Sequence, residues 1–215
     1  MGKEYQGVFG NWSGKVGNVV GRIREGRTVL AIYQPIVSNP QTVAQQSARL
    51  KFRLLSKVFS TCLSGIQVGF KKLDGYKMGS AYSSAVGYNL KKTPSVFSGT
   101  YPNISVAYNN LSVAEGTVEL PFNPSASIDG GEVQCSWSDN TGLGNAKADD
   151  KMCFLMFNPA KNQAIYVEQG IRSDRNAAFT VPTAWTGDAA ETWLFCMRPE
   201  NDEASNSFYL GSLNI

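Results

Sequence analysis

The sequence predicts an α+β protein, with an N-terminal β-hairpin and two helices followed by a C-terminal immunoglobulin-like β-sandwich. Two β-prone runs within residues 15–33 flank a short turn that contains glycine, a pattern typical of hairpins. Apolar residues then recur at helical spacing over residues 48–66. Beyond residue 100, short β-prone runs alternate with turn sequences, as in sandwich folds. We therefore predict a hairpin-plus-helices module at residues 1–95 and a β-sandwich domain at residues 96–215.

The predicted hairpin is rich in glycine and arginine. Its strands are residues 15–24 and 27–33, joined by a turn at Glu25-Gly26. Arg22 and Arg24 are expected on the same face because side chains alternate along a strand. Glycines at positions 14, 17 and 21 weaken the first strand. They indicate a bulge or the close approach of another backbone.

The strongest helix signal in the chain follows the hairpin. Asn39 is a favourable N-cap, and Pro40 suits the first helical position. An apolar seam then follows at spacings of four and three residues: Ala48, Phe52, Leu55, Phe59, Cys62 and Ile66. We interpret this seam as core packing rather than as a coiled coil. Gly65 and Gly69 are expected to limit the helix.

A second helix is predicted from Ser80 to Leu90, where small residues allow close packing on the first helix. Nine short strands are predicted after it: 104–108, 110–114, 117–122, 132–138, 152–158, 164–169, 177–181, 190–198 and 206–211. The run Cys153–Phe157 is apolar throughout, which predicts a central strand covered on both faces. Trp137 and Trp193 are the expected core anchors.

The composition argues against an enzyme. The chain contains no histidine, which removes the usual general base at neutral pH and the commonest metal ligand. Its four cysteines form no C-x-x-C pair, so we predict no metal and no cofactor. Buried thiols are the simplest interpretation of the cysteines, and a disulfide between two of them is the alternative. We predict no catalytic residues.

Charge divides the chain into two unequal halves. Residues 1–92 hold 14 Lys and Arg against 3 Asp and Glu, a net charge of +11, and residues 93–215 hold 6 against 14, a net charge of −8. A basic region attracts nucleic acid, another protein, or the acidic half of a second copy. A solvated surface without a partner is the alternative. The residues predicted to bind a partner crowd the hairpin tip and one helix: Arg22, Arg24, Arg27, Arg49, Arg53 and Lys57.

The N-terminal residues predict no signal peptide, because they include no apolar segment. No run of about 18 apolar residues is present to span a membrane. We therefore expect no membrane partner and a location in a virion or the host cytoplasm.

Four segments carry a resemblance to a known family. They are GKVGNVVG at residues 14–21, NPQT at 39–42, QQSARLKF at 45–52 and WSDNTG at 137–142. The chain resembles proteins of about this length that carry a domain of unknown function, found in one group of anaerobe-rich bacteria and in their phages. That family has no established activity, so the resemblance brings no catalytic residues. It implies a phage-associated structural protein.

These observations predict a non-enzymatic structural protein, a phage virion or assembly component that acts through repeated protein–protein contacts and self-association. The oppositely charged halves of two copies could dock head to tail, and an edge-rich β-domain suits strand addition between subunits. Other virion proteins are further candidate partners. The first alternative is a nucleic-acid-binding protein that uses the basic N-terminal module. The second is a surface- or carbohydrate-binding adhesin, for which the candidate aromatic residues are Trp12, Tyr101 and Trp185.

Overall fold

The chain forms two compact units, Met1–Thr42 and Val43–Ile215. The structure is a computed structural model that describes residues 2–4, 12–24, 26–36, 38–71, 80–200 and 203–215. The α+β prediction is confirmed, with three helices and several antiparallel sheets. The division at Thr42 does not coincide with the predicted boundary at residue 95, because the helices share a core with the C-terminal strands.

The N-terminal unit is a four-stranded antiparallel sheet in the order β1-β4-β3-β2. Its strands are β1 (Gly2–Glu4), β2 (Gly14–Val16), β3 (Val19–Arg24) and β4 (Arg27–Ile32). The predicted hairpin is present, with Arg24 paired to Arg27 across its turn. The predicted first strand is divided, because the chain reverses at Gly17, whose φ of 57° suits a tight turn.

Three helices begin the second unit: α1 (Val43–Thr61), α2 (Leu63–Gly69) and α3 (Ala81–Lys91). Helix α1 begins later than predicted, because Gln41 has a φ of 49° and cannot continue a helix from Pro40. Gly65 and Gly69 do not end the first helix but lie within α2, where Gly69 lies close to residues 113–114. The predicted second helix is confirmed as α3, with Ser80 as its N-cap.

Two further sheets complete this unit, together with a small two-stranded ribbon of β5 (Phe97–Ser98) and β6 (Ser105–Val106). The order of the larger sheet is β10-β9-β12-β13, and that of the smaller sheet is β11-β8-β7. Their strands are β7 (Phe122–Asp129), β8 (Glu132–Ser138), β9 (Lys151–Asn158), β10 (Gln163–Ile171), β11 (Asn176–Thr180), β12 (Ala189–Met197) and β13 (Phe208–Asn214).

The second unit has three layers, because the larger sheet lies between the helices and the smaller sheet. One face of the larger sheet packs on the helices, where Trp193 and Leu155 join Phe59 in one core. Its other face packs on the smaller sheet, where Phe154 joins Trp137 in a second core. The central strands are therefore covered on both faces, as predicted for Cys153–Phe157.

Two predicted strands are wrong, and strands β1, β5 and β7 were not predicted. Residues 110–114 form no strand but a buried segment, and residues 117–122 contribute only the isolated bridge of Val118 to Ser205 and the first residue of β7. Strand β7 begins with Phe122-Asn123-Pro124, where the pairing register shifts and Asn123 has a φ of 49°. Proline and a bulge are tolerated at a sheet edge, which is where β7 lies.

No helix in the described residues is long and apolar enough to span a lipid bilayer.

Candidate functional site

The N-terminal sheet has a basic face. Arg22 pairs with Val29, Arg24 pairs with Arg27, and Lys15 pairs with Val20. Directly paired residues share a face and alternate residues along a strand share a face, so these four basic residues lie on the same side. The Lys15 Nζ lies 3.5 Å from the centre of the Tyr33 ring, a cation–π contact. Arg22, Arg24 and Arg27 were predicted from sequence, and the register brings them together.

The opposite face of the same sheet is apolar. Val16 pairs with Val19, which pairs with Ile32, and Ile23 pairs with Thr28. Val16 is 65% exposed, Ile23 is 52% exposed and Ile32 is 80% exposed. The Trp12 ring also lies on this face, against Gly21, where a Cβ atom would meet the indole at 2.8 Å. Gly21 therefore admits an aromatic ring, where the sequence had indicated a bulge or an approaching backbone.

This sheet buries little of its apolar surface. Among its described residues only Gly21 and Thr28 are buried, and the two hydrophobic cores found in the described part of the chain lie within Val43–Ile215. The apolar face is thus a surface on which another molecule could pack.

A cleft of about 400 Å³ lies along the first half of α1. Arg49 and Arg53, one helical turn apart, line it together with Gln46 and Leu50. Tyr101 and Pro102 form the facing wall. The cleft therefore combines two guanidinium groups with an aromatic ring, a lining that suits an anionic ligand.

The predicted basic residues fall into two groups on different units. Arg22, Arg24 and Arg27 belong to the N-terminal sheet, and the helix stripe belongs to the second unit. Arg49, Arg53 and Lys57 are all exposed, but Lys57 does not line the cleft. The charge division at residue 93 is not a division between the units: Met1–Thr42 has a net charge of +3, and Val43–Ile215 has a net charge of zero.

The aromatic residues suggested for an adhesin do not form one surface. Trp185 is a core residue that is 1% exposed, and its Nε1 donates to Gln163 Oε1 at 2.9 Å. Trp185 is therefore not an exposed aromatic residue, and its selection as a candidate adhesin residue was wrong. Tyr101 is half-buried in the cleft wall, and Trp12 is half-buried against Gly21.

A buried ion network was not found from the sequence. Asp150 accepts from Arg172 Nη2 at 2.9 Å and from Arg198 Nη1 at 2.6 Å, and all three side chains are buried. Arg172 also donates to Asn140 Oδ1 and to the carbonyls of Glu119 and Lys147. The only sequence signal was that Asp150 and Arg198 each adjoin an apolar strand.

This network fixes loops and does not present reactive groups. Arg172 holds residues from three separate segments, and Arg198 Nη2 donates to the carbonyl of Asn145. Trp137 Nε1 donates to the Arg172 carbonyl at 2.8 Å. Nearly every donor is satisfied internally, as a buried charge requires. We interpret the network as structural.

The cysteines are buried and free. Burial raises the thiol pKa of each to about 12: Cys62, Cys135, Cys153 and Cys196. A raised pKa keeps the sulfur protonated at neutral pH, which is unfavourable for nucleophilic attack and for metal binding. Within the described residues, no group of three or more Cys, Asp or Glu side chains is arranged to hold a metal ion.

Comparison with models of protein families assigns this chain to a family. Residues 10–211 match the model of a family of unknown function, DUF6266. The chain belongs to the DUF6266 family. This confirms the resemblance to a domain-of-unknown-function family, and the DUF6266 match reaches into both units. A search of curated proteins finds no match.

Proposed function

We propose that this DUF6266 protein is a non-enzymatic structural protein, a virion or assembly component of a phage that self-associates through repeated protein–protein contacts. The observation that carries the proposal is the exposed apolar face of the N-terminal sheet, formed by Val16, Ile23 and Ile32.

The size of the N-terminal unit supports an interaction role. It holds 42 residues and no cysteine, and a chain of about 40 residues usually needs a disulfide, a metal or a partner to remain folded. Covering the exposed isoleucines would supply apolar burial, worth about 25 cal/mol per Å².

The occupant that fits the apolar face is the same face of a second copy. The basic residues described in this sheet lie on the opposite side: Lys15, Arg22, Arg24 and Arg27. Two apolar faces can therefore meet without bringing these like charges together. The result is a two-layered sheet packing with side chains of both faces interdigitated.

The deciding experiment is sedimentation velocity at high protein concentration. We expect assemblies of the wild type, and we expect Ile23→Thr with Ile32→Thr to weaken association by about 100-fold, because threonine keeps strand propensity but loses apolar area. Leu143→Thr is the control, since Leu143 lies on a loop of the other unit and is 54% exposed, close to the 52% of Ile23. A wild-type protein that sediments as a monomer would exclude self-association.

The sandwich of the second unit is consistent with an immunoglobulin-like topology, which we include in the proposal. Seven consecutive strands divide into sheets of three and four, with the first, second and fifth in one sheet. The third, sixth and seventh strands lie together in the other, as in immunoglobulin domains. The fourth strand, β10, pairs with β9 rather than with β11. A domain of this kind commonly serves as an interaction module.

Nucleic-acid binding is the second candidate function. It is favoured by the clustering of Arg22, Arg24, Arg27 and Lys15 on one flat face, which could contact successive phosphates. Duplex DNA binding measured between 50 and 200 mM salt tests it, with a loss of about 100-fold expected if each of the four basic residues contacts one phosphate. An absence of binding at 50 mM salt would exclude it.

The adhesin alternative keeps only Trp12 and Tyr101 as candidate residues, because Trp185 is buried. A glycan-array screen tests this alternative.

A further inference from the structure

The smaller sheet of the second unit ends in an acidic hairpin. Asp129 on β7 pairs directly with Glu132 on β8, and the two are joined by Gly130-Gly131. Both glycines have positive φ, 57° and 86°, which fits a tight two-residue turn. No atom lies within 4 Å of a Cβ built on either glycine. The glycine turn therefore has open space around it.

The sheet that carries the two carboxylates has no residue of opposite charge on its strands. Strands β7, β8 and β11 contain no lysine or arginine. Asp129 and Glu132 are exposed, and neither forms an ion pair with another described residue. Their shared side of the sheet carries small polar residues, such as Ser127 and Gln134. Glu132 Oε2 accepts from the neutral amide of Gln134, whose Nε2 lies 3.3 Å away, so both negative charges can still attract a cation outside this chain.

The cleft along α1 matches this tip in charge and in spacing. Arg49 and Arg53 are four residues apart on a helix, where Cβ atoms are about 5–6 Å apart. Asp129 and Glu132 are directly paired across antiparallel strands, where Cβ atoms are about 4.5–5.5 Å apart. The two arginines are therefore spaced like the two carboxylates, and pairs of arginine with carboxylate are commonly bidentate.

We propose that the cleft lined by Arg49, Arg53 and Tyr101 receives the Asp129–Glu132 hairpin of a second copy. The glycine turn carries no side chains, so its backbone can approach the Tyr101 ring and Pro102 in a space of about 400 Å³. The inference rests on the proposed self-association and specifies a second contact for it. Because cleft and hairpin are different surfaces, the contact is head to tail and can continue from copy to copy.

A matched pair of charge reversals on α1 tests the cleft. Arg53→Glu and Lys57→Glu change the net charge equally, one turn apart on the same helix, but only position 53 lines the cleft. We expect Arg53→Glu to weaken self-association by about 100-fold, because like charges would face each other. Lys57→Glu should leave it within about threefold of wild type. Equal effects of the two substitutions would overturn the proposal.

A complementary mixture tests the hairpin as the occupant. One variant carries Arg49→Glu and Arg53→Glu, and the other carries Asp129→Lys and Glu132→Lys. Each alone should lose the head-to-tail contact, and a 1:1 mixture should regain it, because every hairpin then meets a cleft of opposite charge. Circular dichroism checks that both variants fold, which their exposed positions predict. A mixture no more associated than the separate variants would overturn the proposal.

The apolar contact of the N-terminal sheet and the ionic contact of the cleft respond differently to salt and to substitution. Salt weakens an ionic contact and leaves an apolar one largely intact, so the cleft contact should weaken between 50 and 500 mM salt. If wild type self-associates and responds to Ile23→Thr with Ile32→Thr but not to Arg53→Glu, the cleft proposal is wrong and the proposed function stands. If wild type remains a monomer at 50 mM salt, both are wrong.

Discussion

Arg172 and Asp150 form an ion pair enclosed by protein, with Arg172 Nη2 2.9 Å from Asp150 Oδ2 and neither side chain exposed. Arg198 adds a second guanidinium to the same carboxylate. A buried ion pair is costly to desolvate and is often no more stabilising than an apolar substitute. Here the ion pair fixes the positions of loops, since Arg172 contacts backbone or side-chain atoms from separate loops.

Removing the central charge should destabilise the second unit strongly. In Asp150→Asn the two guanidinium groups remain buried without a counter-charge, and we expect the free energy of unfolding to fall by about 3–5 kcal/mol. Urea denaturation measures it by linear extrapolation. Asp149→Asn is the control, because Asp149 is exposed and should change stability by less than about 0.5 kcal/mol. Similar losses in the two variants would show that the network is not needed for stability.

The close approach of α2 to the segment after α3 depends on Gly69. A Cβ atom there would lie 2.6 Å from both the Ala114 Cβ and the Val113 carbonyl oxygen. We expect Gly69→Ala to destabilise the protein by about 1–3 kcal/mol through overpacking, although alanine gains about 1 kcal/mol of helix propensity. Thermal unfolding compares it with Ser64→Ala, an exposed site on the same helix. A Gly69→Ala variant as stable as Ser64→Ala would contradict the contact.

The C-terminal strands were predictable where their side chains follow a simple pattern. Strand β8 alternates between buried and exposed residues over Glu132–Ser138, and β9 is apolar because both of its faces are covered. Strand β7 was missed because proline and small polar residues open it, and an edge strand next to a bulge tolerates both. Residues 110–114 were mistaken for a strand because burial alone explains their apolar character.

The candidate site was predictable only in part. Arginines at positions 49 and 53 were expected on an exposed helix stripe, and they are exposed. The cleft itself depends on Tyr101 and Pro102, which are distant in sequence and carry no local signal. The charge division at residue 93 follows chain order, whereas the units divide at Thr42. Tertiary packing therefore places basic helices and acidic strands in one electrically neutral unit.

The buried thiol of Cys62 should make stability fall at alkaline pH. Burial raises its pKa from 9.0 to about 12, so the folded state holds this proton more tightly than the unfolded state. The resulting stability is complete below pH 9 and is lost as pH rises from 9 to 12. At pH 10 this one thiol accounts for a loss of about 1 kcal/mol.

The measurement is the difference in unfolding free energy between pH 7 and pH 10, in wild type and in Cys62→Ala. Taking the difference within each variant cancels the cost of the cavity that alanine leaves. We expect the wild type to lose about 1 kcal/mol more than the variant. Equal losses would mean that the Cys62 thiol ionises as easily in the folded protein as in the unfolded chain.

The contact between Trp12 and Gly21 should be visible by fluorescence. Gly21→Ala places a Cβ 2.8 Å from the indole ring, so the ring must move off the apolar face of the N-terminal sheet. We expect the fraction of tryptophan emission quenched by acrylamide to rise, because the other three tryptophans, at 137, 185 and 193, are buried. Gly26→Ala is the control, since its Cβ would meet no atom within 4 Å, although Gly26, unlike Gly21, has a positive φ of 72°. If both variants quench like wild type, the Trp12 ring does not pack on Gly21 in solution.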